Sequence, residues 1–96
     1  MAKFESKNGK LYIDGHLVLK GWESFNGMYW FATKKDRTQT SVINGKDYPN
    51  DTIWYGYVQG QEEEWGDFSQ KELELMGKYK VWKIPQKNLP FSGRRN

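Results

Sequence analysis

The stretch "DTIWYGYV", residues 51–58, decides the fold. In an extended chain, successive side chains point to opposite faces. Ile53, Tyr55 and Tyr57 then point one way, and Trp54, Gly56 and Val58 the other. Neither set is polar, so this strand is expected to be covered on both sides. "MYWFAT", residues 28–33, repeats the pattern, with Met28, Trp30 and Ala32 opposite Tyr29 and Phe31. These two stretches belong at the centre of a sheet and are candidates for direct neighbours.

Working outward, turn signals set the topology. Asn8-Gly9, Asp14-Gly15, Asn26-Gly27 and Asn44-Gly45 are two-residue hairpin signatures. A type I′ turn needs positive φ at both central residues, which Asn, Asp and Gly tolerate. Short strand-like runs lie between them: "KLYI" (10–13), "HLVLK" (16–20), "GWESF" (21–25) and, after a basic loop, "TQTSVI" (38–43). The spacing is that of an antiparallel meander.

One helix is expected over residues 69–77, "SQKELELMG". Ser69 followed three residues later by Glu72 is a capping box. Gly77 is a natural stop in the left-handed conformation. Leu73 and Met76 share a face with Leu75 beside them, and two turns must dock on a sheet to persist. "YKVWKI" (79–84) then alternates as a last strand that Pro85 ends. The fold class is mainly β (α+β): a small bent antiparallel sheet or partly open barrel with one short helix. Residues 1–90 are expected to form one domain and 91–96 a basic, flexible tail.

The 96 residues include five Trp, six Tyr and five Phe. Each ring can bury roughly 150–250 Å², enough to expect a folded core from a modest apolar content. With no cysteine, neither a disulfide nor a Cys-based zinc site is possible. The opening "MAKFESKNGK" has no apolar run, and no segment reaches the roughly 18 apolar residues of a membrane span. A cytoplasmic protein without membrane contact is therefore expected. The net charge of +3 conceals a pattern. Residues 51–77 carry seven acidic side chains and one basic, whereas residues 78–96 carry six basic and no acidic. Either the two segments neutralise each other in the fold or one faces a charged partner.

The acidic segment centres on "QEEEWGD", residues 61–67. It lacks the oxygen-ligand spacing of a calcium loop, and the sole histidine, His16, stands in no nucleophile motif. No metal and no cofactor are expected. A small carboxylate-dependent hydrolase is the remaining catalytic reading, because paired carboxylates can do acid–base work. The contiguous glutamates cannot all share a face, so no catalytic residue is assigned. The segment is expected to form a solvated junction in which Trp65-Gly66 turns the chain and Trp65 faces inward. Glu62, Glu63, Glu64 and Asp67 would form an acidic edge able to steer a basic protein partner, with Trp65 as its anchor or brace. The alternative is single-stranded nucleic-acid binding through Lys78, Lys80, Lys83, Arg94 and Arg95, interleaved with Tyr79 and Trp82. Lys34, Lys35 and Arg37 form a second basic cluster. The simpler reading of the C-terminal strand puts Tyr79 and Trp82 in the core and leaves the lysines as edge protection.

"IWYGYVQGQEEEWGDFSQKELE", residues 53–74, resembles the signature of a small plasmid- and phage-associated family of unknown function. The matching positions are Gly56, Tyr57 and Val58, then Glu64, Trp65 and Gly66, then Phe68, Ser69, Glu72 and Leu73. "YWFAT" (29–33) resembles the family's preceding strand and "IPQKNLPF" (84–91) its closing segment, while Asp67 stands where the pattern prefers an aromatic. The resemblance brings no catalytic residue. It implies a small binding protein that acts on a host protein or nucleoprotein complex, such as an inhibitor of a CRISPR or restriction complex.

Overall fold

The computed structural model describes residues 2–93. Eight strands are present: β1 Phe4–Lys7, β2 Lys10–Ile13, β3 His16–Leu17, β4 Lys20–Ser24, β5 Tyr29–Ile43, β6 Lys46–Gln59, β7 Glu63–Ser69 and β8 Val81–Lys83. Helix α1 spans Gln70–Leu75, and a 3-10 helix spans Gln86–Phe91. Strands β1-β2-β3 form one antiparallel sheet, and β7-β6-β5-β4-β8 form a second, five-stranded one. The chain is mainly β with short helices, as the sequence predicts, and the described strands do not close into a barrel.

The two doubly covered strands are direct neighbours: Phe31 pairs with Tyr57 and Ala32 with Gly56. One core cluster, with Leu11, Ile13, Val18, Phe31, Tyr57, Ile84 and Leu89, fills the space under the three-stranded sheet and the 3-10 helix. The opposite face carries Trp22, Ala32, Trp54, Leu73 and Val81 beneath α1. We call these the inner face and the helix face. Gly56 is required at the crossing of β5 and β6. A Cβ there would lie 1.8 Å from the Phe31 carbonyl oxygen and 3.0 Å from Ala32 Cα.

Three of the four Asn/Asp-Gly turns have both residues at positive φ, as type I′ demands: Asn8-Gly9, Asp14-Gly15 and Asn44-Gly45. At Asn26-Gly27 only Gly27 does. There the Met28 amide donates to Ser24 Oγ at 3.0 Å, so a side chain helps to close the loop.

Two expectations need correction. "TQTSVI" is not a separate strand, and Lys34, Lys35 and Arg37 are not in a loop. All lie within β5, which runs on through register shifts at Ala32/Lys34, Lys35/Arg37 and Gln39/Ser41. Bulges let a polar stretch stay paired while the strand bends. Similarly, Trp65-Gly66 does not turn the chain. The turn lies at residues 60–62, and Glu63–Ser69 continues as the edge strand β7.

Helix α1 starts as the capping box predicts, the Glu72 amide donating to Ser69 Oγ at 3.0 Å, and Gly77 follows it with φ +87. Only Leu73 is buried; Leu75 and Met76 are exposed. The 3-10 helix reaches Phe91, and Gly93 is buried. Among the described residues no helix is long and apolar enough to cross a membrane.

Candidate functional site: the two edges of the five-stranded sheet

Among the described residues strand β7 pairs on one side only, with β6, Trp65 opposite Tyr57 and Asp67 opposite Tyr55. Alternation places Glu63, Trp65 and Asp67 on the inner face, and Glu64, Gly66 and Phe68 on the helix face. The acidic residues are thereby split between the faces. Trp65 does turn inward. Its ring meets Tyr57 edge-on at 5.2 Å, stacks with Tyr55 at 6.0 Å and meets His16 of β3 at 5.5 Å.

Glu63 departs from the expected exposed row. It is half-buried and accepts a hydrogen bond from Tyr57 Oη at 2.7 Å. Burial of Tyr57 and the bond to Glu63 push the phenol's pKa up to about 12. Asp67 is drawn to Arg37, whose Nη1 lies 3.3 Å from its Oδ2. Glu62 and Glu64 keep the exposure expected of them. Both line an open cleft of about 660 Å³ with Asn26, Met28, Val58 and Gln61, between the β4–β5 and β6–β7 turns.

Strand β8 forms the opposite edge, pairing among the described residues only with β4. Val81 of the strand and Ile84 just after it are buried. Tyr79 and Trp82 do not enter the core. Tyr79 is 87% exposed and Trp82 36%. Tyr79 falls in the turn after Gly77, ahead of the strand, with Lys78 Nζ 6.0 Å from its ring centroid. Phe25, unnoticed in the sequence, is 68% exposed, and its amide donates to the Lys80 carbonyl at 2.9 Å. Its position directly before Asn26-Gly27 places it at a hairpin end, which was the available signal. Lys78, Lys80 and Lys83 are exposed, and among the described residues none of them has a carboxylate within ion-pair distance. Arg94 and Arg95 lie outside the described residues.

The acidic and basic segments therefore form no ion pair with each other among the described residues; residues 62–67 lie at one edge of the sheet and β8 at the other, while Glu74 of α1 lines a cleft with Lys78 and Lys83. The acidic segment finds its cation in Arg37 of β5 and, within itself, in Lys71, which lies 3.4 Å from Glu74. The most enclosed carboxylate, Asp51, plays a structural part. It is 2% exposed and accepts from Ser41 Oγ at 2.6 Å, from Ser69 Oγ, and from the Lys71 amide at 2.9 Å. Burial raises its pKa, but these hydrogen bonds and the Lys71 charge outweigh burial and hold it below the ordinary value. Among the described residues no group of three or more His, Asp or Glu is placed to hold a metal ion.

No family model, no curated protein and no solved structure matches this chain.

Proposed function

We propose that this protein is a small non-catalytic binding module that receives an extended, basic protein segment along β7. The observation that carries the reading is the strand itself. It is hydrogen-bonded on one side, and the two carboxylates at its start, Glu62 and Glu64, rim a cleft. An extended peptide adding to that edge would gain main-chain hydrogen bonds, and its alternate side chains would fall toward the cleft. Glu62 and Glu64 favour lysine or arginine there, while Met28 and Val58 accept the aliphatic stem. Trp65, braced by three rings, holds the strand in register and is not the contact itself. An extended basic segment of a host-defence nucleoprotein complex is the partner class that the mobile-element resemblance raises.

The test is a titration of isotope-labelled protein with an alternating Lys-Val peptide, read by amide chemical shifts. The expected result is a set of shifts concentrated on residues 60–69, abolished in a Glu62→Lys/Glu64→Lys variant. Shifts that spare β7, or that survive the double charge reversal, would sink the reading.

A further inference from the structure

We propose that the β8 edge is a second, independent binding site, which stacks single-stranded nucleic acid on Tyr79 and Phe25 and neutralises its phosphates with Lys78, Lys80 and Lys83. Large rings normally bury their area or meet a partner. Here two rings, 87% and 68% exposed, stand at the same end of the β4–β8 pair. Trp82, of the same strand, is partly open and helps line a cleft of about 250 Å³ with Trp22, Leu73, Glu74, Lys78 and Lys83.

The patch carries three lysines and two carboxylates, Glu23 opposite Trp82 and Glu74 in the cleft. The nearby carboxylates are already engaged. Glu23 accepts from Tyr29 Oη at 2.9 Å, and Glu74 is held by Lys71 at 3.4 Å and Gln70 at 3.0 Å. The three lysines are left without counterions of their own among the described residues.

Chemistry chooses the occupant. Lysine is depleted in protein–protein interfaces, so a lysine-framed patch is a poor protein site. Every nucleobase offers a π-face to an exposed ring, and every linkage offers a phosphate to an ammonium. Flexible single strands can splay bases onto Tyr79 and Phe25, whereas paired bases in a duplex cannot leave their stack without cost. The strand is short and the lysines few, so the site holds a few nucleotides and binds weakly. None of this depends on β7, which lies at the far edge of the sheet.

The experiment is a fluorescence-anisotropy titration of the full chain with labelled oligothymidylate and with a duplex of equal length, at 50 and 200 mM salt. Each phosphate contact on a single strand contributes about −0.7 to the logarithmic salt slope, so three lysines give about −2 and a loss of roughly 20-fold across that range. Tyr79→Ala should weaken binding about tenfold at both salt concentrations and leave the slope unchanged. Lys78→Gln/Lys80→Gln/Lys83→Gln should flatten the slope. If that triple variant fails to fold, Tyr79→Ala, which alters an exposed ring, decides alone. The proposal is overturned by absence of binding at 50 mM salt, by preference for the duplex, or by full retention in Tyr79→Ala. A loss confined to Arg94→Gln/Arg95→Gln or to Lys34→Gln/Lys35→Gln/Arg37→Gln would also overturn it, by placing the contact elsewhere.

Discussion

The two edges of the five-stranded sheet use the same materials in opposite ways. At β7 the ring faces in and carboxylates face out: Trp65 sits among Tyr55, Tyr57 and His16, with Glu62 and Glu64 in solvent. At β8 the aliphatics are buried, Val81 on the helix face and Ile84 on the inner face, while Tyr79 and Trp82 are exposed. What differs is the opposing layer. The inner face of β7 meets β3, which brings His16 over Trp65. Tyr79 stands in a turn and is 87% exposed, with the Lys78 ammonium 6.0 Å from its ring centroid. Position relative to a second layer, more than residue type, decides whether a ring braces the fold or is free for a partner.

The most severe way to break this comparison is to remove the strand that supports β7. Gly56 of β6 pairs with Gly66 of β7 on one side and Ala32 of β5 on the other. A Cβ at Gly56 would sit 1.8 Å from the Phe31 carbonyl oxygen, a backbone atom that cannot swing aside. Gly56→Ala should therefore force β5 and β6 apart. The expected cost is more than about 4 kcal/mol, at the diagnostic end of single substitutions, and a large share of the total for a domain of this size. Far-UV circular dichroism and thermal melting check it. A variant melting within a few degrees of the parent would show that β5 and β6 can separate at Gly56 without loss of the fold.

Asp51 ties the same region to α1, and its removal should be the next largest effect. Asp51→Ala leaves the hydroxyls of Ser41 and Ser69 and the Lys71 amide without their acceptor, at a cost of roughly 3 kcal/mol. The pH dependence has a definite sign. The folded-state pKa lies below the ordinary value of 3.8, so the contribution is present in full above the unfolded value. It is lost as pH falls through the folded one. The stability gap between the parent and Asp51→Asn, measured by urea unfolding, should be widest near neutrality and narrow as pH falls below the ordinary value of 3.8. A gap that stays constant down to the acid limit would remove the charge from the account. The β8 edge, which does not use Asp51, should keep its oligonucleotide affinity wherever the variant is folded.

The central layer was legible in the sequence because its signal is redundant. "DTIWYGYV" and "MYWFAT" are apolar on both faces, and the Asn44-Gly45 turn lies between them. The cap at Ser69 was legible because it is a local hydrogen bond. The course of β5 through "KKDRTQT" was not, since nothing apolar marks it. Pairing with a long partner and three register shifts carry it as strand. "EEEWGD" likewise has poor strand propensity, and neighbouring β6 overrides it. The role of Glu63 depends on Tyr57, its near neighbour only across the hairpin. The outward rings of the β8 edge were misread as core because alternation describes which residues share a face and not whether that face is covered.

The smallest predicted effect sharpens the comparison most. Trp65→Ala removes a half-buried ring from three aromatic contacts. Full burial would make that worth roughly 3–5 kcal/mol, and half burial about 2 kcal/mol. Tyr79→Ala removes a ring 87% exposed, so its change should stay within about 0.5 kcal/mol. Urea unfolding at fixed m-value reads both. Equal losses would mean that Tyr79 folds back onto the sheet in solution, and the contrast between the edges would fail. Unequal losses leave Tyr79 energetically idle in the fold. A ring that is idle in stability and necessary for oligonucleotide affinity is a recognition ring. Trp65 should show the reverse: a loss of stability that weakens peptide binding at β7 only by loosening the strand that offers it.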